Sequence, residues 1–229
     1  MAKPKKSYIA NQIFIGLPWK NVRPKYDRII PKLEKKYPLH FAIVGRNDGQ
    51  DAQHLFEIIK NRISESSFAV FDATSGNANV SLEYGYAEGL DVPRAIFLSD
   101  HKAANKGKSG NPIISDLSGQ RRVHYKTEKA LLTELEKTCR THAYTVRFEK
   151  ALKTLFKRKG KGGKKSGRAL ALKIIRQLDG KQSVRRADLT QNILAQGYTD
   201  KEINDLLKSL HLKKIITCSV GRYADVSIK

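Results

Sequence analysis

The chain has 229 residues, 40% hydrophobic and 29% charged, a composition that excludes a disordered chain and gives length for one or two folded domains. Lys and Arg number 44 against 22 Asp and Glu, and the resulting net charge of +22 favours a polyanionic partner, nucleic acid before an anionic membrane surface. Two cysteines without metal-ligand spacing exclude a disulfide framework, so a reducing cytoplasm is expected, and no apolar run is long enough to predict a signal peptide or membrane span.

The first two thirds alternate strand and helix. Gln12 to Gly16 reads as a short strand stopped by Gly16 and Pro18, and Pro24 to Lys36 as a helix ended near Pro38. His40 to Gly45 reads as a second buried strand. Asp51 to Ser64 reads as a helix with Leu55, Phe56, Ile59 and Ile63 on one stripe. Ser67 to Phe71 is the third strand, ending in Asp72, and Asn79 to Leu90 the helix after it. Pro93 to Leu98 is the fourth strand. Ser99 to Asn111 reads as a mobile surface loop, Arg121 to Tyr125 as a fifth strand, and Glu128 to Phe156 as a long helix or a helix pair. Strands alternating with helices in this way predict a doubly wound, flavodoxin-like parallel sheet over residues 1–156.

Composition then changes. Residues 157–168 are Gly-rich and every charge among them is positive, which predicts a flexible, self-repelling linker whose Lys161, Lys164 and Lys165 also touch phosphate. Residues 169–229 read as a compact second domain. Ala169 to Leu178 is an amphipathic helix and Arg186 to Gln196 a second. Thr199-Asp-Lys-Glu202 matches a capping box that opens a third, through Leu210. Two β-branched runs around Gly221 complete a pattern that resembles a winged helix. In that reading the third helix presents Lys201, Asn204 and Lys208 to the major groove, and Arg185, Arg186 and the wing residue Arg222 add positive charge. A winged helix used for protein contacts is the alternative.

Two carboxylates carry the candidate chemistry. Asp72 ends a strand and Glu83 lies on the following helix, and ligands of open α/β sheets bind beyond the carboxyl ends of strands. Taken singly, a helical Glu is usually solvated and a strand-end Asp usually a cap. The segments Gln12-Ile-Phe-Ile-Gly-Leu-Pro-Trp19, Phe71-Asp72 and Asn79-Val-Ser-Leu-Glu-Tyr-Gly-Tyr-Ala87, however, resemble the nucleoside 2-deoxyribosyltransferase superfamily, which includes nucleotide N-glycosidases and has TIR domains as distant relatives. The resemblance spans residues 8 to 140 and implies cleavage of an N-glycosidic bond. It implies that Glu83 is the nucleophile or ion stabiliser and Asp72 the base-side acid. It also implies that Phe14, Gly16 and Trp19 wall the base or sugar, with Asn79 and Tyr86 beside the substrate. Some sites in that superfamily are completed by a neighbouring subunit, and a homodimer is compatible with this.

The chemistry is consistent with those roles. Breaking a C1′–N bond develops oxocarbenium character that a carboxylate stabilises, and a second carboxyl with a raised pKa protonates the leaving base. Gly85 is expected to bring the helix close to strand or ligand, with Tyr86 one turn from Glu83 on the same face. Arg46, at the end of the second strand, is either a turn residue or a phosphate contact. Ser75-Gly76-Asn77 offers backbone N–H groups to a phosphate at the helix N-terminus. The six histidines show no metal spacing, and neither a P-loop nor a dinucleotide fingerprint occurs, so no metal and no cofactor are expected.

A free nucleotide needs no polycation to hold it. The joint reading is therefore a DNA glycosylase that flips out and removes a base, a modified one included, with defence against foreign modified DNA as a fitting setting. The alternatives are a TIR-like NAD or nucleotide N-glycosidase with a winged-helix sensor, and a non-catalytic nucleotide-responsive DNA-binding regulator.

Overall fold

The computed structural model describes residues 8–44, 52–100, 122–157, 161–181, 183–219 and 224–229. They fall into two compact units. One comprises residues 12–34 and 41–138, and the other residues 9–11, 35–40 and 139–229.

The first unit is built on a five-stranded sheet: β1 (Ile9–Gly16), β2 (His40–Ala42), β3 (Ser66–Asp72), β4 (Arg94–Ser99) and β5 (Arg122–Tyr125), in the order β2-β1-β3-β4-β5. That order is the doubly wound, flavodoxin-like one. β3 pairs parallel with β4, Asp72 opposite Phe97, and β4 parallel with β5, Ser99 opposite Tyr125. Three helices connect strands, α1 (Arg23–Lys36), α2 (Ala52–Glu65) and α3 (Ala78–Gly89), and α4 (Glu128–Thr141) follows β5. β1 is buried without a break from Asn11 to Gly16, as expected of a strand covered on both faces. β2 stops at Ala42, earlier than its apolar run predicts.

Side chains of successive strand residues point to opposite faces, and this sorts the core. On one face Phe14, Phe71 and Ile96 pack with Ile63 of α2 and Val80, Tyr84 and Ala87 of α3. The Phe71 ring sits 5.8 Å from that of Phe14 and 5.5 Å, edge-on, from that of Tyr84. Asp72, the next residue along β3, belongs to the other face. Its carboxylate accepts hydrogen bonds from the Tyr26 hydroxyl of α1 at 3.0 Å and the Tyr125 hydroxyl of β5 at 2.6 Å.

The second unit contains α5 (Ala143–Leu155), α6 (Lys161–Leu178), β6 (Val184–Arg185), α7 (Arg186–Leu194), α8 (Asp200–Leu212), β7 (Ile216–Cys218) and β8 (Asp225–Ile228). β6, β8 and β7 form a three-stranded antiparallel sheet in that order. The expected capping box is formed at α8, where the Thr199 hydroxyl accepts from Glu202 N–H and the Glu202 carboxylate accepts from Thr199 N–H. The helix pair expected before residue 156 breaks at His142, whose ring caps α5.

Two expectations about organisation fail. Residues 161–168 are helical, the first turns of α6, and not a flexible linker. Gly167 is pressed so closely to the Phe156 ring that a Cβ there would lie 2.3 Å from it. Arg168 bonds the Lys36 carbonyl at 2.7 Å and the Glu149 carboxylate at 2.9 Å. Such tertiary anchoring outweighs the poor helix propensity of glycine. The boundary between units also lies at residues 138 and 139, not after 156, because α5 packs with the C-terminal elements. The Tyr144 hydroxyl donates to the Ile215 carbonyl at 3.2 Å. Short N-terminal segments join the same unit. Arg176 donates to the carbonyls of Leu39, at 2.7 Å, and Tyr37, and Asn11 donates to Asp179 at 2.8 Å.

Among the described residues no helix is long and apolar enough to cross a membrane. Of the mobile loop expected over Ser99 to Asn111, Ser99 is instead the buried last residue of β4, and residues 101–111 lie outside the described residues.

Candidate active site

β1 and β3 are neighbours whose onward connections run to opposite edges of the sheet, which opens a crevice beyond their carboxyl ends. A cavity of about 230 Å³ occupies that place. Its floor is Phe14 to Leu17, and its walls come from Val44 after β2, Leu55 and Ile59 of α2, and Asn77, Asn79, Val80 and Glu83 around the start of α3.

Glu83 is carried into this pocket by α3, whose N-terminus is fixed by Asn77. The Asn77 side-chain oxygen accepts from Asn79 N–H at 2.9 Å and Val80 N–H at 3.3 Å. Before it, Ser75 and Gly76 both adopt left-handed backbone, at φ 64° and 59°, and this turns the chain sharply from β3 into the helix. Glu83 Oε2 is sealed from solvent and has no hydrogen-bond partner among the described residues. Burial alone pushes the carboxyl up to about pKa 7. A carboxylate left without a donor in an apolar cavity is costly, and such groups mark functional sites. Gly16 makes the arrangement possible, since a Cβ on it would stand 2.5 Å from Glu83 Oε2 and 2.7 Å from the Phe71 ring.

The pocket gathers Phe14, Gly16, Trp19, Asn77, Asn79 and Glu83 as the sequence predicts. It does not gather Asp72. That residue is fully buried on the opposite face of the sheet, where it also accepts from Thr74 N–H at 3.1 Å. Burial raises its pKa while the hydrogen bonds from Thr74 and the two tyrosines oppose the rise. Its geometry is that of a tie between α1, β3 and β5. Asp72 is not among the residues that line the pocket, and its carboxylate is engaged by Tyr26, Tyr125 and Thr74, which favours a structural role over that of base-side acid.

Three further expectations change. Tyr86 is half-buried against the α2/α3 core and lies one turn beyond the pocket, which occupies the N-terminal end of α3. Gly85 has nothing within 4 Å of where a Cβ would be, so it serves no close approach. Of the N–H groups expected to receive a phosphate at the start of α3, that of Gly76 is taken by the Ala73 carbonyl, and those of Asn79 and Val80 just beyond are taken by the Asn77 side chain. Arg46 lies outside the described residues.

Phe56, expected on the buried stripe of α2, is 41% exposed at the pocket mouth. Leu55, one position earlier, packs against the α2/α3 core, and Phe56 lies at the edge of that stripe.

In the second unit an open cavity of about 600 Å³ is lined by Arg185, Arg186, Asp188, Asp200 and Asn204. Arg186 donates to Asn204 Oδ1 at 2.6 Å, and Asn204 donates to Asp200 at 2.7 Å. Lys201 and Lys208 are exposed on α8, interleaved with exposed Glu202 and Asp205. The surface is mixed in charge and not purely basic. Lys161, Lys164 and Lys165 fall in the first turns of α6, and Arg222 lies outside the described residues.

No family model matches the chain, and no curated protein matches it. Among solved structures it is similar to a 2-deoxyribosyltransferase from Leishmania mexicana, at 18% identity and a TM-score of 0.43, over 55% of this chain and 97% of that one.

Proposed function

We propose that the protein is an N-glycosidic bond hydrolase that removes a base from DNA. The observation that carries the reading is the Glu83 carboxyl beside Gly16, whose Oε2 is buried without a hydrogen-bond partner among the described residues, in a nucleoside-sized pocket at the switch point of the sheet. A carboxyl with a pKa near 7 has an ionised form available at neutral pH, and that form lies where an anomeric carbon would gain positive charge. As the C1′–N bond breaks, its electron pair leaves with the base nitrogen, which takes a proton from water. The electron-poor C1′ is either captured by a Glu83 oxygen and then released by water, or attacked by water directly. The products are the free base and an abasic sugar. Apolar walls from Phe14, Leu55 and Ile59 exclude water around the carboxylate, and Asn79 offers an amide to the base. The sequence resemblance to nucleoside deoxyribosyltransferases points to the same bond.

Two features support a polymer substrate. The net charge is +22, far beyond what a single nucleotide requires. The C-terminal elements follow the order α6-β6-α7-α8-β7-β8 around a small antiparallel sheet, which supports a winged-helix reading. In it α8 would enter the major groove, with Lys201 and Lys208 on its exposed side. The acidic residues interleaved with them confine the contribution of α8 to a few phosphate contacts.

The test is to incubate the full chain with plasmid DNA, base-modified phage DNA, free deoxynucleotides and NAD, and to assay released base, abasic sites and nicotinamide. Base and abasic sites from DNA, lost in Glu83→Gln, are the expected result. Nicotinamide or base from free nucleotides alone would move the substrate to a small molecule, and no product anywhere would leave a non-catalytic regulator.

A further inference from the structure

The mouth of the Glu83 pocket is ringed by large apolar side chains that the fold leaves in solvent. Trp19 is 54% exposed, Phe56 41% and Leu82 58%, and all three line the same cavity from three different elements. Scattered exposed apolar residues are ordinary, but three around one pocket mark a contact surface. Two of them are held in place by cations. The Arg23 guanidinium stands 4.6 Å from the centre of the Trp19 ring, and Lys60 Nζ 5.0 Å from that of Phe56. Each cation is fixed in turn by a carboxylate on its own helix, Arg23 by Asp27 at 3.6 Å and Lys60 by Glu57. The rings are thus presented in set orientations, with positive charge against them, while much of each remains open.

We infer that this rim is a stacking platform for the nucleotides on either side of the reacting one, so that the crevice takes up DNA as an unpaired strand. The inference rests on the N-glycosidase reading and adds the strand form to it. Every base has a π-face, and ordered aromatic rings beside fixed cations are the surface that unpaired bases occupy. In a duplex, neighbouring bases stay stacked and paired, and only the extruded one is free to meet a ring.

Trp19 is the single tryptophan of the chain, so its fluorescence reports on the platform directly. The experiment titrates full-length Glu83→Gln protein, which retains the pocket, with a twelve-nucleotide single strand, the same sequence as a duplex, and a deoxynucleoside monophosphate. Binding is followed in parallel by anisotropy. The single strand is expected to quench Trp19 strongly and the duplex and mononucleotide weakly. Phe56→Ala is expected to weaken single-strand binding roughly 5- to 100-fold and to weaken duplex binding by much less. Single-strand binding without quenching, equal quenching by the mononucleotide, or a rim buried in a self-associated dimer by sedimentation would each overturn the inference. Quenching by the single strand with no base release by the wild-type protein would instead overturn the hydrolase and leave the platform standing.

Discussion

Gly16 and Glu83 form one device: the missing side chain of the first is the space that the carboxylate of the second occupies, 2.5 Å from where a Cβ would stand. A strand residue without a side chain thereby decides where a helix carboxylate can lie. Gly16→Ala is expected to turn Glu83 out of the pocket and to lower base release by about 100-fold or more, since small misplacements at a reacting centre are that costly. The Phe71 ring, 2.7 Å from the added methyl, must also shift, so stability should fall by roughly 1–3 kcal/mol. Single-turnover rates and denaturant midpoints measure the two effects separately. Unchanged turnover would remove the pair from the mechanism.

Glu83→Gln separates function from stability. The folded-state pKa of about 7 lies above the ordinary 4.5, so keeping Glu83 ionised in the fold is unfavourable. The penalty is absent below about pH 4.5, grows between pH 4.5 and 7, and is fully present above. At pH 8 the variant should therefore be more stable by roughly 2–3 kcal/mol, with no gain at pH 4. Its base release should be abolished. Thermal melts at the two pH values, beside an activity assay, check both.

The pH profile of the wild-type enzyme follows from the same group. If the ionised carboxylate acts on C1′, kcat/KM rises through about pH 7 and then levels. A fall through pH 7 would make Glu83 a proton donor instead.

Asp72→Asn should act on folding and not on chemistry. The amide would place its own donors among the Tyr26 and Tyr125 hydroxyls, which now donate to the carboxylate at 3.0 and 2.6 Å. A loss of roughly 1–3 kcal/mol is expected, with the folded fraction keeping its turnover number. A stable protein with a depressed kcat would return Asp72 to the catalytic machinery.

Removing residues 157–229 should not leave a well-folded remainder. Tyr144, Phe148 and Leu152 of α5 are buried within the second unit, and the carbonyls of Tyr37 and Leu39 are held by Arg176. The truncated chain is expected to bind a hydrophobic dye and to lose its cooperative melt. A sharp, unshifted transition would show that α5 needs none of those partners.

Sequence alone determined the features that local patterns encode. Alternating apolar runs with Gly and Pro stops placed the strands and helices of the sheet within a few residues, and Thr199 to Glu202 carried a complete helix start within four positions. Glu83 and Gly16 were also legible, through the motifs that contain them. Tertiary structure alone decided which way each side chain points and what packs on it. Asp72 read as a partner of Glu83 because it ends a strand before the helix, yet strand alternation sends it to the opposite face, under two tyrosines from distant elements. Residues 161–168 read as a tether because glycine and like charges disfavour local order. They are helical because Phe156 and Glu149 act on Gly167 and Arg168 through space. Composition records propensity, while packing against residues remote in the chain supplies the larger free energy.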